Sequence, residues 1–587
     1  MCGIIACVGY NSLKDILISS LEKLEYRGYD SSGIGIIEDN QIKLFKEVGK
    51  VQVLKDSLNN TSFSSNIGIG HTRWATHGEV NKENAHPHIS LNSRIALVHN
   101  GIIENYLELK EELVKHNVSF YGKTDTEVIV KYLEYIYDGN PLNSIERLKN
   151  KLKGSYALII LFLDFSNNIY FIKKDSPLLI GLTSNGILLS SDVFSIDCYT
   201  NKIIYINDDE YGYISKSNYF IFHNKKKIIP IIKELNITNK FKENTYSSYL
   251  EKEIYEGRDV VDNLLNKYIV NNQISFLNNE LEQTLSKISH INIFGCGSSY
   301  NVGLIGKYLF EEYCKIPTST YLASEYTNSR SIYYPSSLNI FISQSGETRD
   351  LLSIVNLIKE NKLGIINVEH SSLANKMDFN LFLEAGKENS VATTKAYLGQ
   401  LTFLTLLTLF FLKIKGEETI SLIKELKLIP SKINQILTSN LEIKNFASTL
   451  KSYEHVFFIG RGLDYLTCIE GSLKLKEVTY IHSESIPSGE LKHGTISLID
   501  DKVYVICLLS SETKEKTKAN IEEIKARKGK VFTVSTSNSD YIIPSTNNMY
   551  YPFLEIVPLQ LLSLYVGQEK NLDIDKPRNL AKSVTVE

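Results

Sequence analysis

Cys2-Gly3-Ile4-Ile5-Ala6-Cys7-Val8-Gly9 follows Met1 as an apolar run closed by a glycine, the pattern of a short strand buried on both faces. With Met1 removed, Cys2 carries a thiol and a free α-amine on one residue. A thiol of pKa ~8.5 beside an amine of ~7.7–8.0 can lose its proton to that amine at neutral pH, so no side-chain base is needed. A cysteine beside the initiator can equally be a small residue near a start codon, and the decision falls to the rest of the chain.

The chain has 587 residues, longer than one core supports, and about three to four domains are expected. A formal net charge of -3 and a pI near 6.5 give no whole-chain attraction to nucleic acid or an anionic membrane. Lys225-Lys226-Lys227, between apolar pairs, reads as a solvated hairpin turn. The cysteines (Cys2, Cys7, Cys198, Cys296, Cys314, Cys468 and Cys507) are scattered, odd in number and never spaced CxxC. That pattern argues against a disulfide framework or a thiolate zinc site and fits a reducing cytoplasm. No secretory signal precedes the first strand. Leu401–Leu412, a short apolar stretch with threonines, reads as a buried helix too short to span a bilayer.

Up to residue 240 the pattern is of many short apolar strands with few helices, which suggests stacked sheets flanked by helices. Helices are predicted at Tyr106–Lys115 and Thr126–Tyr137, and strands at 67–69, 94–98, 157–162, 169–172, 178–181 and 187–190. Polar clusters follow strand ends: His71-Thr72-Arg73-Trp74-Ala75-Thr76-His77-Gly78, then His99-Asn100-Gly101, then Thr124-Asp125-Thr126-Glu127. An acyl-transfer site needs donors for a developing oxyanion, which an Asn amide and a Gly N–H can supply. An amino-acid substrate needs a guanidinium for its carboxylate and a carboxylate for its ammonium, and Arg73 and Asp125 are of those types. Asn-Gly is also an ordinary turn signal, and Thr124 is an N-cap in a capping box. The histidines 71, 77, 86, 88 and 99 match no standard zinc spacing.

These motifs, with Tyr26-Arg27-Gly28-Tyr29-Asp30-Ser31, together resemble the class II glutamine amidotransferases of the N-terminal-nucleophile superfamily, and within it the glutaminase half of the glutamine–fructose-6-phosphate aminotransferase family. The resemblance implies an αββα sandwich with Cys2 as nucleophile and its own amine as base. It also implies Asn100 and Gly101 as the oxyanion hole, Arg73, Thr76, His77 and Asp125 around glutamine, and Trp74 as a gate for ammonia.

After a polar linker at 239–244, a repeat appears. His290-Ile-Asn-Ile-Phe-Gly295-Cys-Gly297 and His455-Val-Phe-Phe-Ile-Gly460-Arg-Gly462 are strand–GxG–helix units offset by 165 residues, and the strand 339–343 maps onto 504–508 at the same offset. Such coincidences argue for duplication. Apolar strands alternating with amphipathic helices predict doubly wound parallel sheets, whose ligands lie beyond the strands' carboxyl ends. Ser343-Gln344-Ser345-Gly346-Glu347-Thr348 is the richest such end, suited to a phosphate dianion, with Gly297-Ser298-Ser299 a second loop. GxGxxG is absent from both GxG loops, which speaks against a dinucleotide. Lys474 and Glu477 lie one helical turn apart.

Ser343–Thr348, Lys474–Glu477, Gly489-Glu490-Leu491-Lys492-His493-Gly494 and the final 577–587 stretch resemble the sugar isomerase (SIS) domains and C-terminal tail of the same family, so the likeness covers the whole chain. It implies Ser299, Ser343, Gln344, Ser345, Thr348 and Thr393 at the sugar phosphate, Lys582 as a Schiff-base former and Glu477, beside Lys474, moving a proton between C1 and C2. His493 would open the sugar ring, across the interface of a homodimer. The implied domains are 2–220 (glutaminase), 221–281 (linker and connecting helix), 282–422 and 447–577 (two SIS domains) and a 578–587 tail over the sugar site. The implied reaction makes glucosamine 6-phosphate and glutamate from fructose 6-phosphate and glutamine through channelled ammonia, with no cofactor, metal, nucleic acid or membrane. Thr393, Thr495, the Asn389-Ser390 pair and the hinge ending Gly257-Arg258 depart from the family pattern. Two other readings stand beside this one: an amidotransferase for another keto-sugar phosphate, and a non-catalytic sugar-phosphate sensor.

Overall fold

The computed structural model describes residues 2–75, 78–234, 246–328 and 334–584. The chain divides into two compact units, one of Met1–Lys242 with Ser583–Glu587 and one of Glu243–Lys582.

Among the described residues of the first unit, two antiparallel sheets of eight and seven strands stack face to face. Gly3–Val8 lies in the middle of the larger sheet, paired with Ile67–Arg73 and Ile187–Ser190. Alternate side chains leave opposite faces of a strand. Ile4, Ala6 and Val8 therefore join Ile69, Val98, Ile159 and Phe171 between the sheets. Ile5 and Cys7 pack outward against helices Leu13–Leu24 and Val51–Ser57. The second sheet centres on Gly154–Phe162, between Ile95–Ile103 and Ile169–Lys174. Its outer face, Leu97, Leu158 and Ile160, is covered by helices Tyr106–Lys115, Asp125–Tyr135 and Pro141–Lys149. The layers are helix, sheet, sheet, helix, as expected for this half.

The motif loop before the second strand of the larger sheet is tied down by charge. Arg27 forms a buried ion pair with Asp192 at 2.8 Å, joined by the Tyr26 hydroxyl. Burial would raise the Asp192 pKa, but the Arg27 guanidinium holds it below the ordinary carboxylate value.

Three boundaries differ from the sequence reading. Asn100-Gly101 is not at a strand end: Ile95–Ile103 runs through it, with Asn100 opposite Ala157 and Gly101 opposite Tyr156. The long partner strand supplies the ladder bonds and overrides the local turn preference. The first unit also runs past residue 220, because Tyr219–His223, Lys226–Ile228 and Lys233–Glu234 complete its two sheets. The expected hairpin is there, with Asn224 and Lys225 at positive φ. The 239–244 linker lies outside the described residues. Lastly, the apolar helix is Lys395–Ile414, long enough by length and composition to cross a membrane, yet 89% of its apolar window is buried in the second unit. Its threonines satisfy their hydroxyls within the helix, as when Thr402 donates to the Leu398 carbonyl at 2.8 Å.

The second unit repeats one design. Two five-stranded parallel sheets have the same order: Thr318–Leu322, His290–Gly295, Ser337–Ser343, Lys362–Ile366 and Phe379–Phe382 in one, His482–Pro487, His455–Gly460, Tyr504–Leu509, Lys530–Ser535 and Tyr541–Ile542 in the other. The GxG turns coincide as well, Gly297 at φ 53° and Gly462 at φ 55°, each capping the helix after it. One continuous apolar core joins both halves, with Lys395–Ile414 and Tyr551–Glu569 buried on all sides.

Candidate active sites

Strand alternation places the first site. Cys2 shares the parity of Ile4 and Ala6, and Asn100 that of Val98, so both face the inter-sheet layer at one end of the sandwich. They meet there: the Asn100 amide donates to the Cys2 carbonyl at 3.0 Å. His99, of opposite parity, points into the helix layer, where its Nδ1 is 3.0 Å from Thr126 Oγ1 and 3.8 Å from Asp125 Oδ2. Thr124 caps that helix by accepting from the Glu127 N–H at 3.2 Å, and Asp125 accepts from the Ile103 N–H at 3.0 Å.

The Cys2 sulfur accepts from the Trp74 N–H at 3.4 Å. Burial pushes its thiol up, Arg73 opposes that, and Asp125 adds to it. Arg73 and Asp125 thus both act electrostatically on the Cys2 thiol, with opposite sign. Arg73 is steered by the Gly78 and Glu79 carbonyls at 3.2 and 3.3 Å. Asp30 fixes the turn, accepting from the Ala75 N–H at 2.8 Å while its own N–H donates to the Arg73 carbonyl at 2.9 Å. Among the described residues no base side chain hydrogen-bonds the Cys2 sulfur.

The neighbouring histidines hold one another. His71 and His86 stack at 3.9 Å, and His71 Nε2 meets the His99 carbonyl at 3.0 Å. His88 spans Tyr121 and Thr124 at 3.1 and 3.0 Å. Burial drives all three imidazoles to the neutral form, His71 down to about 3.

The second site lies at the carboxyl ends of the first parallel sheet. Ser343 Oγ accepts from the Gly346 N–H at 2.9 Å and sits 3.3 Å from Thr348 Oγ1, curling the loop into a cradle. Gly346 has φ 66°, and a Cβ there would fall 1.9 Å from Ser371 Oγ. Ser299, in the first turn of Ser298–Glu312, accepts from the Gln400 amide at 3.1 Å.

Lys474 and Lys582 are buried in this unit beside carboxylates. Lys474 is 2.5 Å from Glu477 and 3.5 Å from Glu470, and Glu470 accepts from the Asn301 amide at 2.8 Å. Burial would lower the Lys474 pKa, but these carboxylates outweigh it and push it up to about 12. Lys582 pairs with Glu388 at 2.5 Å and lies 3.4 Å from Thr393 Oγ1. The segment leading to it is pinned: Asp575 accepts from the Tyr249 and Leu250 N–H groups at 3.0 and 2.7 Å, and the Arg578 guanidinium lies 4.3 Å from the centre of the Tyr480 ring.

Sequence comparison covers both sites. Residues 71–197 match the glutamine amidotransferase domain family, and 284–410 and 449–566 each match the SIS domain family. A glutamine–fructose-6-phosphate aminotransferase (isomerizing) of Caldanaerobacter subterraneus subsp. tengcongensis is 40% identical over 608 aligned residues, covering 100% of both chains. The protein of that name from Aquifex aeolicus is 38% identical with the same coverage. This chain belongs to the glutamine–fructose-6-phosphate aminotransferase family. A solved C-terminal domain of such an aminotransferase from Francisella tularensis superposes with a TM-score of 0.54 at 36% identity, covering 57% of this chain and 100% of that one.

Membership of the aminotransferase family gives a frame for what the fold gathers and what it does not. Cys2, Asn100, Arg73, Trp74 and Asp125 converge, as do Lys582 with Thr393 and Glu477 with Lys474. Thr76 and His77, expected around glutamine, lie outside the described residues, as do the last three of the tail. His493 is exposed at the end of Ser488–His493 and makes no hydrogen bond among the described residues. Asp30, Glu388, Glu470 and Gln400 are site neighbours that the sequence reading did not single out. Asp30 was visible inside the Tyr-Arg-Gly-Tyr-Asp-Ser motif, whereas nothing local marked Glu388.

Gly101 provides a sharp test of the first site. Its φ is 129°, and a Cβ would fall 2.0 Å from the Ser155 carbonyl oxygen, a backbone atom that cannot move aside. Gly101→Ala is expected to displace the strand at Asn100 and cut glutamine hydrolysis by about 100-fold or more, the scale of a lost oxyanion donor. Glutamate release in the absence of sugar measures it.

Proposed function

We propose that the chain transfers the amide nitrogen of glutamine to fructose 6-phosphate, forming glucosamine 6-phosphate and glutamate. The observation that carries this reading is the presence, in one chain matched from end to end by aminotransferases, of a thiol that feels opposite charges from Arg73 and Asp125 and a buried lysine 3.4 Å from the Thr393 hydroxyl.

In the first half-reaction the Cys2 thiolate adds to the glutamine amide carbon, and its own α-amine, freed by removal of Met1, takes the proton. An amide has two N–H donors, so Asn100 can hold the Cys2 carbonyl with one and, with the Gly101 N–H, meet the oxyanion with the other. Arg73 and Asp125 receive the α-carboxylate and α-ammonium. Trp74 closes over the released ammonia.

In the second half-reaction Ser299, Ser343, Gln344, Ser345 and Thr348 hold the phosphate, and Thr393 the sugar. Lys582 condenses with the open-chain ketone, ammonia replaces it, and Glu477 carries a proton between C1 and C2 while Lys474 fixes that carboxylate. His493 opens the ring from the partner subunit of a homodimer. Ammonia passes between the sites without mixing with bulk water. A cytoplasmic setting belongs to the same reading, and all seven cysteines stand as free thiols.

Incubating purified protein with glutamine and fructose 6-phosphate tests this. Glucosamine 6-phosphate and glutamate are expected in equal amounts; glutamate without amino sugar, or an amino sugar from a different ketose phosphate only, would contradict it.

A further inference from the structure

Glu388 belongs to no motif, yet the fold buries it completely against the lysine proposed to form the imine. One oxygen accepts from Thr394 N–H at 2.9 Å and Ala396 N–H at 3.3 Å, at the start of helix Lys395–Ile414. The other accepts from Lys582 Nζ at 2.5 Å. The side chains are 0% and 2% exposed. Among the described residues, Glu388 is the only carboxylate bonded to that nitrogen.

An ion pair holds Lys582 as an ammonium, which has no lone pair to add to a ketone. Something must remove a proton, and bulk water does not reach a nitrogen so deeply buried. We propose that Glu388 is the catalytic acid–base for imine formation at Lys582, relaying protons from the lysine nitrogen to the departing ketone oxygen. This deepens the reading of Lys582 given above and rests on it.

The step balances. Glu388 takes one proton from the ammonium, and the freed lone pair adds to C2 while the carbonyl π pair moves to oxygen. The carboxyl protonates that oxygen, giving a neutral carbinolamine once the nitrogen has surrendered its second proton to the same carboxylate. Returning this proton to the hydroxyl lets water leave as the nitrogen lone pair forms the C=N bond. Two protons have moved from nitrogen to oxygen, the iminium keeps the third, and Glu388 ends as the carboxylate facing a cation. No oxidant or further reactant is consumed.

The surroundings suit a carboxyl that must change state. Burial acts to raise the Glu388 pKa and is outweighed by the Lys582 charge and bond, with help from the Thr394 N–H. As the positive charge leaves nitrogen, that opposing influence goes with it and burial favours the protonated acid. Glu253 lies close by, its oxygens accepting from the Asn389 N–H and, at 3.2 Å, from the Ser390 N–H, which fixes the loop carrying Glu388. Burial and the Glu388 charge push the Glu253 carboxyl up, against the pull of Lys582 and Lys395. Lys395 is engaged elsewhere, at 2.7 Å from Glu256, and Lys474 with Glu477.

Trapping separates this idea from the reading beneath it. The full-length protein is incubated with fructose 6-phosphate and sodium cyanoborohydride, without glutamine, and reductive labelling of Lys582 is followed by intact mass and peptide mapping. Glu388→Gln keeps the oxygen that accepts from Thr394 and Ala396 but cannot take a proton. It is expected to label at least ~100-fold more slowly, the range of a lost general acid–base group, and Glu388→Asp, which keeps a carboxylate, is expected to recover part of the rate. Labelling of Glu388→Gln at the unsubstituted rate overturns the proposal and leaves the imine standing. Equal losses in the Gln and Asp variants also overturn it, because proton transfer would not then be what was removed. If the unsubstituted protein shows no label on Lys582, the imine itself is refuted.

Discussion

Cys2→Ala is expected to abolish glutamate release from glutamine while amino-sugar formation from added ammonia continues. The thiol is the only proposed nucleophile at its site, and loss of an enzyme nucleophile costs on the order of 10⁶-fold in turnover. The substitution is small. The Cys2 backbone keeps its place at the start of the central strand, so the Asn100 amide still meets the Cys2 carbonyl. Paired assays with glutamine and with ammonium as nitrogen source measure the effect. A variant that lost both activities would mean that the second site depends on an intact first one, and full glutamine activity would remove Cys2 from the chemistry.

The complementary variant is Lys582→Arg. Arginine preserves a cation opposite Glu388, avoiding the about 3–5 kcal/mol penalty of leaving a buried charge alone. Its guanidinium is always protonated and cannot form an imine. Amino-sugar formation is therefore expected to fall by ~10⁴-fold or more with either nitrogen source. Retention of synthesis with ammonia would show that the ketone is activated without Lys582. The two variants thus fail differently, which a sugar-phosphate sensor without catalysis would not do.

How much of this could be read from the sequence depends on how locally each feature is encoded. The first strand was legible because every residue from Ile4 to Val8 is buried and bounded by glycines. The duplication was legible because sheets that share an order keep their glycines at one spacing, and Gly297 and Gly462 occupy nearly identical turns. Asn100-Gly101 misled because turn chemistry is local, whereas the strand that holds the pair straight comes from Gly154–Phe162. Glu388 was invisible for the same reason at greater range: its partner lies 194 residues away, and an isolated acid in a loop carries no periodic signal. The Glu470–Asn301 contact, 169 residues apart, likewise exists only after the two halves of the repeat share a core.

The central claim is that nitrogen released at Cys2 is consumed at the sugar site without passing through bulk solution. The direct measurement is to supply glutamine labelled with ¹⁵N in its amide together with excess unlabelled ammonium, and to determine the isotope at C2 of the glucosamine 6-phosphate formed. Product carrying ¹⁵N undiluted by the surrounding ammonium is the predicted result; product whose nitrogen matches the isotopic composition of the bath would contradict it.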